Sequence, residues 1–169
     1  MNSGDPMKPL LKRVLLALAL LTLIGCDQVT KTLARDNLAF SPPVSYLDGL
    51  VRLTYTENPG SFLGLGAQLP EAVRTLLGVI TGAAVIAGLL LLFVYSTRMH
   101  RIKLVGFTFL LGGACGNLVD RVTNDGRVID FMVLGAGGIH TGVFNVADVF
   151  ILAGVIVAVI ASGRRQPSE

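Results

Sequence analysis

The stretch Leu21-Thr22-Leu23-Ile24-Gly25-Cys26-Asp27-Gln28-Val29-Thr30-Lys31 admits two readings, and each leads to a different fold. Leu23-Ile24-Gly25-Cys26 fits a lipobox, the signal at which a bacterial lipoprotein precursor is acylated on cysteine and cut before it. On that reading everything before Cys26 is a disposable leader. On the other, Asp27 to Lys31 is the polar end of an apolar helix that stays in the chain. A lipoprotein would continue into a soluble or surface domain, whereas this chain continues into three more apolar stretches. Cleavage before Cys26 would also remove Lys8, Lys12 and Arg13 together with most of a membrane-length helix. The lipobox match is therefore a coincidence of a leucine-rich segment, and the stretch is the outer end of a first membrane span.

The rest of the chain agrees. Of its 169 residues, 52% are hydrophobic and 15% charged, where soluble domains carry roughly a quarter charged residues. Four apolar runs, at about 10–32, 73–95, 102–119 and 144–162, approach the ~20 residues that cross a bilayer as a helix. The expected architecture is a single integral membrane domain over residues 1–169. Positive charges flank the runs: Lys8, Lys12 and Arg13; then Arg98, Arg101 and Lys103; then Arg164 and Arg165. Four spans put all three clusters on one face, which the positive-inside rule makes cytoplasmic, as are both termini. Outer loops at about 33–72 and 120–143 face the other side. The net charge of +3 forms no patch for nucleic acid. Cys26 and Cys115 lie in apolar runs without metal-ligand company, and His100 and His140 are far apart.

Both outer loops carry extended candidates. Val51 to Thr56 alternates apolar and polar residues, the pattern of a strand with one buried face. Asn58-Pro59-Gly60 ends it with turn chemistry. Asn124-Asp125-Gly126 is a second turn signal, and Arg127 to Met132 a second short strand. Alternation there points Asp130 away from Ile129 and Phe131.

Polar residues crowd the outer ends of the spans: Asp27 and Lys31 on the first, Asn117, Asp120 and Arg121 on the third, Asn145 and Asp148 on the fourth. Ionisable groups at that depth are costly and usually face a bundle interior or a wet cavity. Each has an ordinary explanation. Asp120 and Arg121 suit an interfacial pair, Asn145 suits a helix N-cap, Asp148 suits the positive end of a helix dipole, and Asp130 suits a solvated loop. Taken together, Asp130 and Asp148 suggest more, because the loop can return and bring them to one place. Two adjacent carboxyls share a proton. One can then act as general base on water while the other protonates a carbonyl oxygen. The sequence carries no nucleophile elbow or zinc motif, and Gly64 and Gly66 make only a fragment of a phosphate loop. A scaffold whose polar residues only hold the bundle, and a transporter using the aspartates as a relay, are the competing classes. A transporter wants its ionisable groups near the midplane; here they gather on one face.

Five motifs in order resemble those of the bacterial lipoprotein signal peptidases, polytopic aspartyl peptidases. They are Asp27-Gln28-Val29-Thr30-Lys31, Asn58-Pro59-Gly60, Gly116 to Arg121, Gly126 to Phe131 and Phe144 to Asp148. The resemblance implies an all-α membrane protein of four helices with a small extracytoplasmic β-cradle. It implies Asp130 and Asp148 as the catalytic dyad, and Asn58, Gly60, Asn117, Arg121 and Asn145 as substrate-binding residues. Asp27, Lys31 and Asp120 are implied as support, Asp120 by orienting Arg121 or bracing the loop. A periplasmic loop or helix is expected over the site, with the region after Phe131 the candidate and Gly135, Gly137 and Gly138 lending it flexibility. The implied substrates are diacylglyceryl-modified prolipoproteins, cut on the amino side of the lipidated cysteine. Cyclic peptide inhibitors of the globomycin type and membrane lipids are the other implied partners. The enzyme is expected to be a monomer of the bacterial inner membrane, with its site at the periplasmic face and no cofactor. Ser61-Phe62-Leu63 departs from the family pattern by placing its aromatic one position early.

Overall fold

The computed structural model describes residues 9–59, 69–95, 101–136 and 138–163. Gly60, Ser61-Phe62-Leu63 and Gly137 lie outside them. In chain order the elements are α1 (Pro9–Leu38), β1 (Val44–Tyr46), a 3₁₀ turn (Leu47–Gly49), β2 (Val51–Asn58), α2 (Glu71–Tyr95), α3 (Arg101–Thr123), β3 (Val128–Ala136), β4 (Ile139–His140) and α4 (Val146–Gly163). All four α-helices are long and apolar enough to cross a membrane.

Two helices outrun their apolar stretches, and for a physical reason. α1 continues past Thr32 to Leu38. Its 30 residues make about 45 Å at 1.5 Å per residue, more than the ~30 Å of hydrocarbon. It stops before Pro42-Pro43, where ring sterics exclude helix. α3 runs past Val119 to Thr123 because Asn117 and Asp120 are buried helix residues, not loop. Hydropathy ends at the first polar side chain, whereas a helix can carry that side chain inward. Cys26 lies within α1 and is exposed on it.

α3 is the centre of the bundle, packing on α1, α2 and α4. Lipid offers no hydrophobic gain for helix association, so close backbone approach through small residues takes over. A Cβ on Gly154 of α4 would lie 2.7 Å from the Gly106 carbonyl oxygen of α3, and one on Gly113 would strike the Ala147 carbonyl. On the adjacent face of α3, Gly112 and Gly116 lie one turn apart under Leu23 and Asp27 of α1; a Cβ would stand 2.8 Å and 2.5 Å from those side chains. Phe109 and Phe150 meet edge to face with ring centres 5.8 Å apart, deepening the α3–α4 contact. α2 packs on α3 alone among the described helices and leaves Leu76, Leu77 and Ile80 exposed, a face suited to lipid.

The four strands form one antiparallel sheet in the order β1-β2-β3-β4. Leu53 pairs with Met132 and Thr56 with Asp130, so β2 carries one residue more than β3 between these pairs, a bulge over Thr54 and Tyr55. Because strand faces alternate with period two, the bulge changes the phase of β2. It puts Thr56 and Asn58 on the face of Leu53, which is also the face of Asp130. Strict alternation from Val51 to Thr56 would have sent Asn58 to the other side.

The region after Phe131 differs from the flexible cover expected there. β3 continues to Ala136 and turns back as β4. Gly135 donates its N–H to the Leu50 carbonyl, and Leu134 and Thr141 bond each other in both directions. His140 lies so close to Gly135 that a Cβ there has no room.

Candidate active site

β3 leaves α3 through a tight turn. Asp125 and Gly126 both have positive φ (49° and 79°), and a Cβ on Gly126 would come 2.5 Å from Thr75 of α2. Glycine therefore satisfies the backbone and the neighbour at once. The turn sends Val128, Ile129, Asp130 and Phe131 into a fully buried start of β3. Past the hairpin, Phe144 bonds the backbones of Phe131 and Met132 and delivers the chain to α4.

At the start of α4, Asn145 and Asp148 cap the helix reciprocally. The Asn145 Oδ1 accepts from the Asp148 N–H at 3.0 Å, and the Asp148 Oδ2 accepts from the Asn145 N–H at 3.2 Å. This has the form of a capping box, with Asp in the usual Glu position. The N-cap explanation of Asn145 thus holds, and the return bond from Asp148 joins that residue to the same cap. The Asn145 Nδ2 donates to the Asp130 Oδ1 at 2.7 Å, and the Asn117 Nδ2 to the Asp148 Oδ1 at 2.9 Å. The two amides join each other at 3.1 Å through the Asn117 Oδ1. Asn58 donates to the second oxygen of Asp130 at 2.9 Å. Two carboxyls are therefore linked by a pair of asparagines, with Asp130 3% exposed and Asn145 wholly buried.

Burial, before anything else, raises the Asp130 pKa to about 6, and the neighbouring charge of Asp148 works in the same direction. The bonds from Asn58 and Asn145 and the charge of Lys31 oppose that rise. The resulting carboxyl can bind or lose a proton near neutrality, as acid–base work requires.

Beneath the asparagines lies an ionic cluster. The Lys31 Nζ sits 2.8 Å from Asp27, 2.9 Å from Asp120 and 2.9 Å from the Asn117 Oδ1. Lys31 and Asp27 are 1% and 0% exposed. Charges this deep persist only when paired and hydrogen-bonded. Asp120 braces the loop by accepting the Ile129 N–H at 3.0 Å; no hydrogen bond joins it to Arg121 among the described contacts. Arg121 reaches back to the Asn117 carbonyl at 3.4 Å, and its Nε is buried without a partner.

Of the expected site residues, Asp27, Lys31, Asn58, Asn117, Asp120, Arg121, Asp130, Asn145 and Asp148 gather here. Gly60 lies outside the described residues. Sequence reasoning missed Gln28, whose Nε2 donates to Asp120 at 2.8 Å and to the Gly116 carbonyl at 3.2 Å. An amide on a helix gives no signal of its own, although its place between Asp27 and Lys31 was a hint. It also missed an outer set, in which Arg127 pairs with Glu57 and Glu71 and Tyr55 donates to Glu57 at 2.9 Å. The Tyr55 bond, followed by Arg127, holds the Glu57 carboxyl below its ordinary pKa.

Four membrane-length helices carry a small sheet over two linked aspartates, Asp130 buried and Asp148 half-buried, and the family match makes the chain a membrane peptidase of the aspartic class. More narrowly, the chain belongs to the signal peptidase II family, whose model matches residues 19–164. It is 34% identical to the lipoprotein signal peptidase of Desulforapulum autotrophicum over 87% of this chain and 91% of that one. It is 37% identical to the enzyme of that name from Cyanothece, over 89% and 84%. For the Streptococcus pneumoniae enzyme the figures are 32% identity over 92% and 96%. A bacterial membrane enzyme solved by the in meso method at 1.9 Å resolution shares the fold, with a TM-score of 0.77 over 89% of this chain and 94% of that one at 24% identity. A second such structure, at 2.3 Å, gives a TM-score of 0.76.

Proposed function

We propose that this chain removes the signal peptide from diacylglyceryl-modified prolipoproteins, with Asp130 and Asp148 as its catalytic pair. The observation that carries the reading is the join of these carboxyls through Asn117 and Asn145 at one end of the bundle. One carboxyl takes a proton from water as the water attacks the scissile carbonyl, and the other protonates the carbonyl oxygen. The roles then reverse to expel the amine. Asn58, Gly60, Asn117, Arg121 and Asn145 are the proposed substrate contacts. The unpartnered Arg121 Nε supports this, since a buried donor without an acceptor suits a peptide carbonyl.

The pair lies where α3 and α4 meet the sheet, so water reaches it without crossing hydrocarbon. With the positive clusters cytoplasmic, that end is the periplasmic face of the inner membrane. The substrate's signal helix lies beside the bundle with its lipid in the bilayer, and the cut falls on the amino side of the lipidated cysteine. Inhibition by cyclic peptides of the globomycin type and action as a monomer belong to the same proposal.

The test is cleavage of a diacylglyceryl-modified prolipoprotein by purified protein in detergent, followed on a gel. Wild type cuts, while Asp130→Asn and Asp148→Asn remain folded and are silent. Normal cutting by either variant removes the assignment and favours a scaffold.

A further inference from the structure

The cluster under the pair has a symmetry that catalysis by two aspartates does not require. The Asp120 Oδ2 accepts the N–H of Ile129, the residue immediately before Asp130. The Asp27 Oδ1 accepts the N–H of Ala147, the residue immediately before Asp148, at 2.9 Å. One ammonium, that of Lys31, binds both of these carboxylates and also the Asn117 oxygen that receives Asn145. β3 and α4 are thus tied to α1 by matching bonds that converge on one atom. We propose that Lys31 is the positioning residue of the aspartate pair, fixing through Asp27 and Asp120 the separation of the backbones that carry Asp148 and Asp130. The inference rests on the assignment of that pair as catalytic.

A bolt of this kind sets distance, and it also sets charge. Asp130 is faced by Lys31 of α1, Arg121 of α3 and Asp148 of α4, with Asp27 and Asp120 held on the same Lys31; Glu57 of β2 pairs with Ile129 and lies on the other face of the sheet. Lys31 favours the ionised form of Asp130. Its loss should therefore hinder that ionisation, whereas loss of the Asp120 charge should assist it.

The experiment compares wild type, Lys31→Met, Asp120→Asn and Asp130→Asn on the same lipid-modified prolipoprotein, recording kcat, KM and the pH profile of kcat. Folded protein is measured in each case by thermal unfolding in detergent. Asp120→Asn keeps an oxygen for the Ile129 amide but releases half of the Lys31 grip. The expected result for Lys31→Met is a fall in kcat of about 100-fold, the scale of an ångström's misplacement, with KM changed less than about threefold. Its acid limb moves to higher pH, and that of Asp120→Asn moves to lower pH. If kcat falls only as the folded fraction falls and neither limb moves, Lys31 is a structural ion and the proposal is overturned. If Lys31→Met does not fold, Asp120→Asn decides alone, and an unmoved limb overturns it. An active Asp130→Asn would refute the catalytic pair itself, a different failure seen in a different variant.

Discussion

At residue scale, the carboxyl of Asp130 couples function to stability in opposite senses. Its pKa of about 6 in the folded protein lies above the ordinary 3.8, so the fold favours the neutral form. The stabilisation is complete below about 3.8 and is lost as pH rises through about 6. At one unit per 1.36 kcal/mol, the full cost at neutral pH is at most about 3 kcal/mol. Between about pH 4 and 7, the unfolding temperature of wild type should therefore fall relative to that of Asp130→Asn, which has no proton to lose. The difference between the two isolates Asp130 from Glu57, whose depressed pKa makes its own contribution fade as pH falls. Catalysis needs an ionised base, so kcat should decline on the acid side with a limb near 6. A flat difference in unfolding temperature between wild type and Asp130→Asn would show that the Asp130 carboxyl is not held in this environment.

At the scale of elements, the four helices were legible because lipid imposes a length and an apolar composition that hydropathy reads directly. Their outer ends were not, because a helix can extend beyond the apolar run when a polar side chain finds partners inside, as Asp120 of α3 does. The bulge in β2 was equally hidden. Nothing in Thr54-Tyr55 announces an extra residue, yet it brings Asn58 to the face of Asp130. Helix contacts make a sharper prediction. A Cβ at Gly113 meets the carbonyl of Ala147, next to Asp148, whereas one at Gly88 of α2 meets nothing within 4 Å. Gly113→Ala should cost about 1–3 kcal/mol as overpacking and lower cleavage by displacing the start of α4. Gly88→Ala should be neutral or stabilise by up to about 1 kcal/mol, since alanine loses less entropy in a helix. Thermal unfolding with parallel cleavage assays separates them. Equal effects would mean that α3 and α4 do not approach as closely as their glycines indicate.

For the whole molecule, the site could be read in the sequence only as a list. Asp130 and Asp148 were suspect because both fall at one membrane face, but their route of contact runs through Asn117, Asn145 and two backbone amides. A backbone N–H has no sequence signature, so the tie from Asp27 to α4 could not be read in advance. Orientation in the membrane remains a matter of charge. In the sequence, the clusters around Lys12, Arg101 and Arg164 flank the ends of the apolar runs opposite to those that carry Asp27, Asn117 and Asp148. Single cysteines introduced after replacing Cys26 and Cys115 with serine can test this. Ser45 lies on the exposed edge strand β1, and Arg165 follows α4. In spheroplasts, a membrane-impermeant thiol reagent should label Ser45→Cys at once and Arg165→Cys only after lysis. The reverse pattern would turn the bundle over and put the aspartate pair on the cytoplasmic side, where a peptidase acting on exported precursors would meet its substrate from the wrong face.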